Sequence, residues 1–162
     1  MKRLSTFVLA SAALAASTLL AAVPSPPSTP PQQSGGAAND PAAPLFTRMC
    51  ATCHEAAKVT AVRRTSIEWE EMMNKMIERG AQGTEQEFET VFEYLVKYYG
   101  KVRINSAPAD EIETILGLSK KDAEAIVAYR TANGPFKDFD ALKKVPDIDV
   151  KTLEEHRDAV AF

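Results

Sequence analysis

The stretch Cys50-Ala51-Thr52-Cys53-His54 combines two thiols with an imidazole at short spacing. Cys-x-x-Cys-His is the pattern for covalent attachment of a c-type haem. Because the thiols lie about one helical turn apart, both can reach the vinyl groups on one edge of the porphyrin. The adjacent imidazole then lies under the ring, where a nitrogen can bind iron. The sequence therefore predicts one covalent haem c, with thioethers at Cys50 and Cys53 and with His54 as the proximal axial ligand.

Two other uses of a Cys-x-x-Cys pair compete with this interpretation. A thioredoxin-like redox motif is expected beside a βαβ pattern, and we find no such pattern in the sequence. A structural disulfide would give the neighbouring His54 no role. The chain has 2 cysteines, both inside the motif, so no disulfide framework remains elsewhere.

A methionine could supply the sixth ligand, and a thioether raises the reduction potential because it stabilises ferrous iron. Three candidates, Met72, Met73 and Met76, lie on one predicted helix. Methionine at helical spacing is also ordinary core filler, and we expect that role for at least one of the three. Met49 is too close to the attachment site to reach round the ring, and the second histidine, His156, lies far along the chain.

The first 22 residues resemble a secretory signal. Lys2 and Arg3 precede an uncharged stretch that runs to Val23 through small residues near a cleavage site. A membrane anchor is the alternative, because the stretch is close to the roughly 20 residues that a span needs. Its richness in Ala, Ser and Thr favours cleavage, so the protein would contact a membrane only if this segment is uncleaved. We expect a periplasmic or otherwise exported bacterial protein, which agrees with haem attachment outside the cytoplasmic membrane.

The composition of residues 23–39 predicts a disordered linker. They are rich in proline and then in Gln, Ser, Gly and Ala, and such a segment buries too little apolar surface to order itself. The whole chain of 162 residues is 45% hydrophobic with a formal charge of −3. This composition is that of a globular protein and favours neither nucleic acid nor an anionic membrane as partner.

Three predicted helices position the motif within residues 40–101. The first begins at Asp40-Pro41, an N-cap followed by proline, and runs into the haem motif. The second and third occupy 65–80 and 84–100, and each begins with a Thr-x-x-Glu capping box and ends at glycine. Ile67 is expected to face the core with the methionines, and the third helix carries an apolar stripe.

This order of elements resembles a small monohaem cytochrome c domain. In that family the first and last helices cross and pack, which implies a contact of Phe46 with Tyr94 or Leu95. The spacing Trp69-x-x-x-Met73-x-x-Met76-x-x-x-Gly80-Ala81 is similar to a pattern in short exported cytochromes. That resemblance implies Met76 as the distal axial ligand.

The haem propionates also need partners. Trp69, Tyr98 and Tyr99 could donate hydrogen bonds to them through N–H or O–H groups. Arg63 and Arg64 could make bidentate contacts, and they suit a solvated loop equally well.

The sequence predicts a second helical unit at residues 103–162. This unit resembles a duplicated pair of helices, with helix starts at Ser106, Ser119 and Asp149. It resembles the competence-type (ComEA-like) helix-hairpin-helix domain. The resemblance rests on Ile104-Asn105-Ser106-Ala107, Leu116-Gly117-Leu118-Ser119, the segment 123–130 and Asn133-Gly134-Pro135-Phe136. In that family a hairpin presents backbone N–H groups to a DNA phosphate. The resemblance implies such contacts at Gly117, Ser119, Lys120 and Lys121.

This unit departs from the family pattern in its charge and its glycines. The first hairpin has Gly-Leu-Ser where the family has glycine at both ends, and the second has Asp147-Ile148-Asp149, which contains two carboxylates and no glycine. The unit has nine Lys and Arg against twelve Asp and Glu. Since phosphate binding depends on excess cationic charge, the sequence favours protein docking or packing over DNA binding.

Taken together, these patterns predict an all-α protein, with a cytochrome c-like three-helix haem domain followed by a helix-hairpin-helix domain. The sequence has no recognisable acid–base pair, nucleophile triad or phosphate loop. A six-coordinate haem leaves no open position for a substrate. We therefore expect an electron carrier with redox protein partners rather than an enzyme. The alternatives are a periplasmic, competence-like DNA-binding protein that carries a haem, and a haem enzyme or the electron-transfer subunit of an exported dehydrogenase complex.

Overall fold

The computed structural model describes residues 36–162, so the predicted signal peptide and residues 23–35 of the predicted linker lie outside the described residues. The described chain has eight α-helices, two short 3-10 helices and one pair of two-residue parallel strands. The predicted all-α class is confirmed. Among the described residues, no helix has both the length and the apolar character needed to cross a membrane.

The first half contains a 3-10 helix and four α-helices. They are the 3-10 helix Ala37–Asn39, α1 (Ala43–Cys50), α2 (Ala56–Thr60), α3 (Ser66–Glu78) and α4 (Glu85–Tyr99). Both predicted capping boxes are formed, at Thr65 with Glu68 and at Thr84 with Glu87. The short helix α2, between the haem motif and α3, is an additional helix that the sequence did not predict.

The start of the described chain differs from the prediction. Helix α1 begins at Ala43 rather than at Pro41. The side chain of Asp40 instead caps a turn just before it, because Oδ1 accepts a hydrogen bond of 2.9 Å from the N–H of Ala42. Residues 36–39, which the sequence assigned to the linker, pack on α4. Ala37 is buried there, and its carbonyl accepts a hydrogen bond of 3.3 Å from the hydroxyl of Tyr94.

The second half begins and ends with a strand. Its elements are β1 (Val102–Arg103), α5 (Ala109–Leu116), α6 (Lys120–Asn133), α7 (Phe139–Leu142), α8 (Val150–Glu155), the 3-10 helix Arg157–Ala159 and β2 (Val160–Ala161). Strands β1 and β2 are parallel, with Val102 opposite Val160. The sequence predicted a helix start at Ser106, but Pro108 is the N-cap of α5. Strands of two residues show no alternation that could reveal them.

The two helix-hairpin connections share a backbone conformation. Gly117 has φ 63° before the N-cap Ser119 of α6, and Asp147 has φ 59° before the N-cap Asp149 of α8. Both predicted N-caps are confirmed, since each side chain accepts a hydrogen bond from a backbone N–H in the first turn. Asp147 is the single non-glycine residue with positive φ in the described chain, and Asp tolerates this conformation better than most residues.

The buried residues of both halves form one continuous core. The predicted crossing of the first and last helices of the first half is confirmed, because the rings of Phe46 and Tyr94 lie 5.1 Å apart. The prediction for Ile67 is wrong, because this side chain is 68% exposed while Trp69 is fully buried. Residues two apart on a helix point to nearly opposite sides, so α3 turns its Trp69 face to the core.

A short non-helical contact connects the halves, and we call Arg63, Arg64 and residues 99–101 the joint. The carbonyl of Tyr99 accepts hydrogen bonds from the N–H of Arg64, at 3.2 Å, and from Nε1 of Trp69, at 3.0 Å. The N–H of Lys101 then donates to the carbonyl of Arg64 at 2.7 Å. This pairing fixes the path of the chain from α4 into β1.

Side chains reinforce the joint from both halves. Nε of Arg63 lies 2.8 Å from Oδ2 of Asp158, next to β2. Nη1 of Arg63 donates to the carbonyls of Tyr98 and Gly100 at 3.1 and 3.3 Å. Glu111 on α5 accepts a hydrogen bond from the hydroxyl of Ser66 on α3. The two halves are thus packed together as well as connected along the chain.

Gly100 leaves no room for a side chain, so Gly100→Ala should be destabilising. A Cβ at this position would lie 2.0 Å from the carbonyl oxygen of Val96 and 2.9 Å from Cγ1 of Ile115. We expect a loss of about 1–3 kcal/mol in the free energy of unfolding, the usual cost of forcing atoms into a packed interior, measured by urea titration. Gly36→Ala is the matched control, since its Cβ would meet Tyr98 at an ordinary 3.5 Å. Equal stability of the two variants would contradict this account of the joint.

Candidate haem-binding site

A mainly apolar cavity of about 410 Å³ lies between the Cys50–His54 segment, α3 and the start of α4. Its volume lies within the range of about 300–1,000 Å³ that is usual for cofactor and ligand sites. All the residues that the sequence predicted around the iron, together with the two alternative methionines, line it: Cys50, Cys53, His54, Met72, Met73 and Met76. The fold thus brings both thiols, the imidazole and the thioethers to one space.

The motif itself follows the end of α1. Cys50 is the last residue of that helix and is half-buried, whereas Cys53 is exposed, and both are free thiols. The hydroxyl of Thr52 donates to the carbonyl of Arg48 at 2.6 Å and so holds the turn between the cysteines. Nδ1 of His54 lies 3.3 Å from the carbonyl of Glu55. Since a carbonyl only accepts, Nδ1 carries the proton, and Nε2 is the nitrogen available to a metal.

The end of α3 fixes the position of Met76. The N–H of Gly80 donates to the carbonyl of Ile77 and the N–H of Ala81 to that of Met76, both at 2.9 Å. With Gly80 at φ 95°, this is the Schellman arrangement for a helix C-terminus. It holds the last turn of α3, and with it Met76 and Ala81, against the cavity.

All three candidate methionines reach the cavity. Met72 and Met73 also pack against buried core residues, which is the gap-filling role expected for at least one of them. Met76 is half-buried and lies nearest the end of the helix. Met49 also lines the cavity, although its place in α1 beside the thiols had excluded it as a ligand.

The charged residues that line the site are all cationic. Arg48 and Arg79 line the main cavity, and Lys58 and Arg64 line a smaller cavity of about 320 Å³ that shares His54 and other residues with it. Arg48 is already paired with Glu87, with 2.5 Å between the charged atoms. The sequence did not identify Arg48, Lys58 and Arg79 as site residues, because only the packing of α1, α2 and α3 brings their charges together at the cavities. A cofactor with carboxylate groups fits this lining.

The propionate partners that the sequence suggested are mostly engaged elsewhere. Nε1 of Trp69 donates to the Tyr99 carbonyl, and the hydroxyl of Tyr98 donates to Oδ2 of Asp40 at 2.8 Å. Tyr99 is buried and its hydroxyl pairs with that of Tyr94. The donors of these three residues are thus engaged within the protein, and their contacts with a haem propionate stay predictions. Both arginines lie at the joint, where Arg63 is fully engaged.

Arg64 differs from the other donors near the site. Its Nη1 atom is buried and has no hydrogen-bond partner among the described residues. Its guanidinium lies 5.0 Å from the ring centroid of Trp69, and it lines the smaller cavity with His54 and Met76. A buried cationic N–H group without a partner is costly, so this atom fits a site that receives an anionic group.

The residues predicted to bind DNA phosphate come together on the first hairpin. Gly117, Ser119, Lys120 and Lys121 are all exposed there, at the N-terminus of α6. His156 lies beside this hairpin and away from the haem-binding cavity, with Nδ1 3.0 Å from the carbonyl of Thr152.

The second hairpin presents carboxylates where the first presents lysines. Asp147 and Asp149 are exposed. Hydrogen bonds from the side chain and the backbone N–H of Thr152 lower the pKa of Asp149. Both bonds stabilise the ionised carboxylate, so this hairpin repels a phosphate at neutral pH.

Two family models match different parts of the chain. Residues 97–161 match the helix-hairpin-helix motif. Residues 32–89 match the haem-binding region of the quinohemoprotein amine dehydrogenase A, alpha subunit. Residues 32–89 are thus similar to a haem-binding region, and residues 97–161 are similar to a helix-hairpin-helix motif. The haem-binding match contains Cys50, Cys53, His54 and the three candidate methionines, and the helix-hairpin-helix match contains both hairpins.

Curated relatives match only a part of this chain. An uncharacterized protein of Haemophilus influenzae is 43% identical over 63 residues, which are 38% of this chain and 56% of that protein. ComE operon protein 1 of Bacillus subtilis is 37% identical over 36% of this chain and 29% of its own length. Endonuclease/exonuclease/phosphatase family domain-containing protein 1 of Danio rerio is 36% identical over 35% of this chain and 10% of its own. The chain spans about half, or less, of these relatives, and no solved structure matches it.

The two cysteines should react at different rates before haem is attached. Burial raises the pKa of the Cys50 thiol from 9.0 to about 11, so little reactive thiolate forms at pH 8. In haem-free protein, iodoacetamide should label the exposed Cys53 first, and labelling of Cys50 should rise about tenfold per pH unit up to about pH 11. Mass spectrometry of peptides measures both rates. Equal rates in the folded protein, as expected for a urea-unfolded control, would contradict the burial of Cys50.

Proposed function

We propose that this protein is an exported carrier of single electrons. It would hold one covalent haem c through the thiols of Cys50 and Cys53, and His54 and Met76 would bind the iron. The observation that carries this proposal is the convergence of both thiols, the imidazole and the thioether on one apolar cavity, inside the region that matches a haem-binding family.

The protein's own residues would orient and shield the cofactor. A hydrogen bond from Nδ1 of His54 to the carbonyl of Glu55 would fix the tautomer and would leave Nε2 to bind the iron. Val59 and Val91 contribute buried apolar surface to the cavity and exclude water. When bound, haem c supplies reversible one-electron chemistry, and Met–His ligation sets a high potential for it.

An electron carrier needs a redox protein as partner. The family match names a subunit of an amine dehydrogenase, which favours a second form of the same proposal. In that form this chain is the electron-transfer subunit of an exported dehydrogenase complex. The function of this chain is electron transfer in both forms, and it does not itself convert a substrate.

Met76→Ala should remove the sixth ligand. In matured protein, the weak far-red band of the ferric methionine–iron bond should disappear, and the midpoint potential should fall because the thioether that stabilises ferrous iron is lost. The ferrous variant should also bind carbon monoxide rapidly. Visible spectra and a redox titration measure these effects.

Met72→Ala and Met73→Ala are the matched controls, because both residues lie on α3 and line the same cavity. They should keep the band and lose only packing stability. Loss of the band from one of these variants instead would assign the ligand to that residue. A wild-type protein matured in the periplasm that carries no haem would overturn the whole proposal.

A second candidate function is DNA binding by the first hairpin in the same exported protein, with Gly117, Ser119, Lys120 and Lys121 contacting a phosphate. The exposure of these four residues at the N-terminus of a 14-residue helix favours it, and so does the similarity to ComE operon protein 1. The acidic second hairpin and the excess of acidic residues oppose it. On balance we propose that the helix-hairpin-helix unit (103–162) docks the haem unit (40–101) on a protein partner.

Charge changes at the hairpins separate docking from DNA binding. If the first hairpin binds DNA, Lys120→Ala and Lys121→Ala should each weaken binding and lower the salt slope by about one. Asp147→Gly with Asp149→Ser, which keeps a capping hydroxyl, should strengthen it. Fluorescence anisotropy with duplex DNA at low salt measures both effects. Lys75→Ala, an exposed lysine on α3, is the control. No binding by the wild type, or binding indifferent to these lysines, would exclude DNA as the partner.

A further inference from the structure

Sulfur is concentrated at one place in this protein. The described residues contain two cysteines and four methionines, and all six side chains line the main cavity: Met49, Cys50, Cys53, Met72, Met73 and Met76. The proposed haem site uses both thiols but only one thioether, that of Met76. Three thioethers of this cavity therefore have no role as ligands in the proposed function.

The donor atoms of the cavity favour one class of metal ion. Thiolates and thioethers are soft ligands that select Cu(I), whereas a structural Zn²⁺ site takes four donors from Cys, His and carboxylates. In the described part of the chain, no group of three or more His, Cys, Asp and Glu side chains is arranged to hold a metal ion. The Cys50–His54 segment by itself is therefore no zinc site, and the additional donors that the cavity offers are thioethers.

The charges around the cavity suit a copper–thiolate group. When Cu(I) binds both thiols, each thiol releases one proton to solvent, and the ion with its two thiolates carries one negative charge. Arg48 and Arg79 line the cavity, and no carboxylate of the described chain lines it. These cations stabilise a negative group, whereas they repel a copper ion that is held by neutral thioethers alone. Both cysteines are thus needed for the site.

The surplus methionines reach the cavity from two sides. Met49 lies on α1 next to Cys50, and a Cβ at Gly83 would lie 2.6 Å from its Cε atom, so Met49 extends to the loop before α4. Met72 and Met73 lie on α3. A methionine side chain has three rotatable bonds and adapts to irregular spaces. A position beside the thiols, which excludes Met49 as a haem ligand, therefore suits a single ion that the thiols hold.

We propose that the haem-free chain binds one Cu(I) ion through the thiols of Cys50 and Cys53, with a third ligand from the thioethers of Met49, Met72 and Met73. The inference goes beyond the proposed function, because the ion binds before haem is attached and does not need Met76. It has a consequence for maturation, since a thiol that binds copper is not available to a haem vinyl group. Copper and haem therefore compete for the same two cysteines.

The test uses the haem-free full-length chain, reduced and kept free of oxygen, with Cu(I) alone as the probe. The chain competes with bicinchoninate, a chelator that forms a coloured complex with Cu(I), and the loss of colour gives stoichiometry and affinity. One copper per chain is expected, and it should protect both cysteines from iodoacetamide. X-ray absorption at the copper edge should show sulfur as the ligand atom.

Leucine variants isolate the contribution of the thioethers. Leucine and methionine have similar volumes, and exchanges between them are usually well tolerated. Combined Met49→Leu, Met72→Leu and Met73→Leu should weaken Cu(I) binding roughly tenfold or more, since loss of even an outer-shell partner costs a metal site about 10–100-fold. Once matured, the same variant should keep its haem and its far-red band. Cys53→Ser should weaken Cu(I) binding more than the leucine variant does.

His54→Ala is the matched control, because it removes a donor that lines the same cavity but leaves every sulfur atom in place. Its affinity for Cu(I) should stay close to that of the wild type. A loss as large as that in Cys53→Ser would assign the ion to the Cys50–His54 segment and would overturn the role of the thioethers.

Two further results would contradict the inference. If the wild type fails to compete for Cu(I), the copper site is excluded, and haem in the matured protein would show that the proposed function stands without it. If the wild type and the leucine variant bind Cu(I) equally, and circular dichroism shows that both are folded, the thioethers are not ligands.

Discussion

The carbonyl of Tyr99 is the point on which the rest of this structure depends. It ends α4, and it accepts N–H groups from Arg64 and from the buried ring of Trp69. Buried N–H and carbonyl groups are rarely left without partners, so satisfying this one carbonyl fixes three segments together. Helix α3 is oriented by Trp69, the loop before it is held by Arg64, and the chain leaves α4 in the direction of β1. The cavity exists because α3 is held in this way.

The haem-binding cavity depends on several weak local interactions that fix the ends of the helices around it. Capping boxes start α3 and α4, and a Schellman arrangement ends α3. Each N-cap contributes about 0.5–2 kcal/mol to the stability of the protein. None of these contacts recognises a cofactor. Together they carry Met76 to the same space as His54, and they surround that space with apolar and cationic side chains. The site therefore fits an apolar ring that carries negatively charged groups at its edge.

The second half shows how one fold can carry opposite charges at equivalent places. Gly117 and Asp147 adopt nearly the same φ, and Ser119 and Asp149 cap the helices that follow. The backbone of both hairpins can thus be the same while the first presents lysines and the second carboxylates. Because the N-terminus of a helix favours anions, the carboxylate of Asp149 occupies internally the position that an external phosphate would take. The second hairpin therefore offers little to a nucleic acid.

The sequence by itself determined which side chains could hold a haem and where several of the helices begin. The thiols, the imidazole and the methionines were identified by type and spacing, and the caps at Thr65, Thr84 and Ser119 are local events decided by a few neighbouring residues. Tertiary structure alone decided the rest: the two-residue strands, the burial of Trp69 in place of Ile67, and the convergence of cations on the cavity. These features depend on residues far apart in the chain, and no local pattern records which of them will meet.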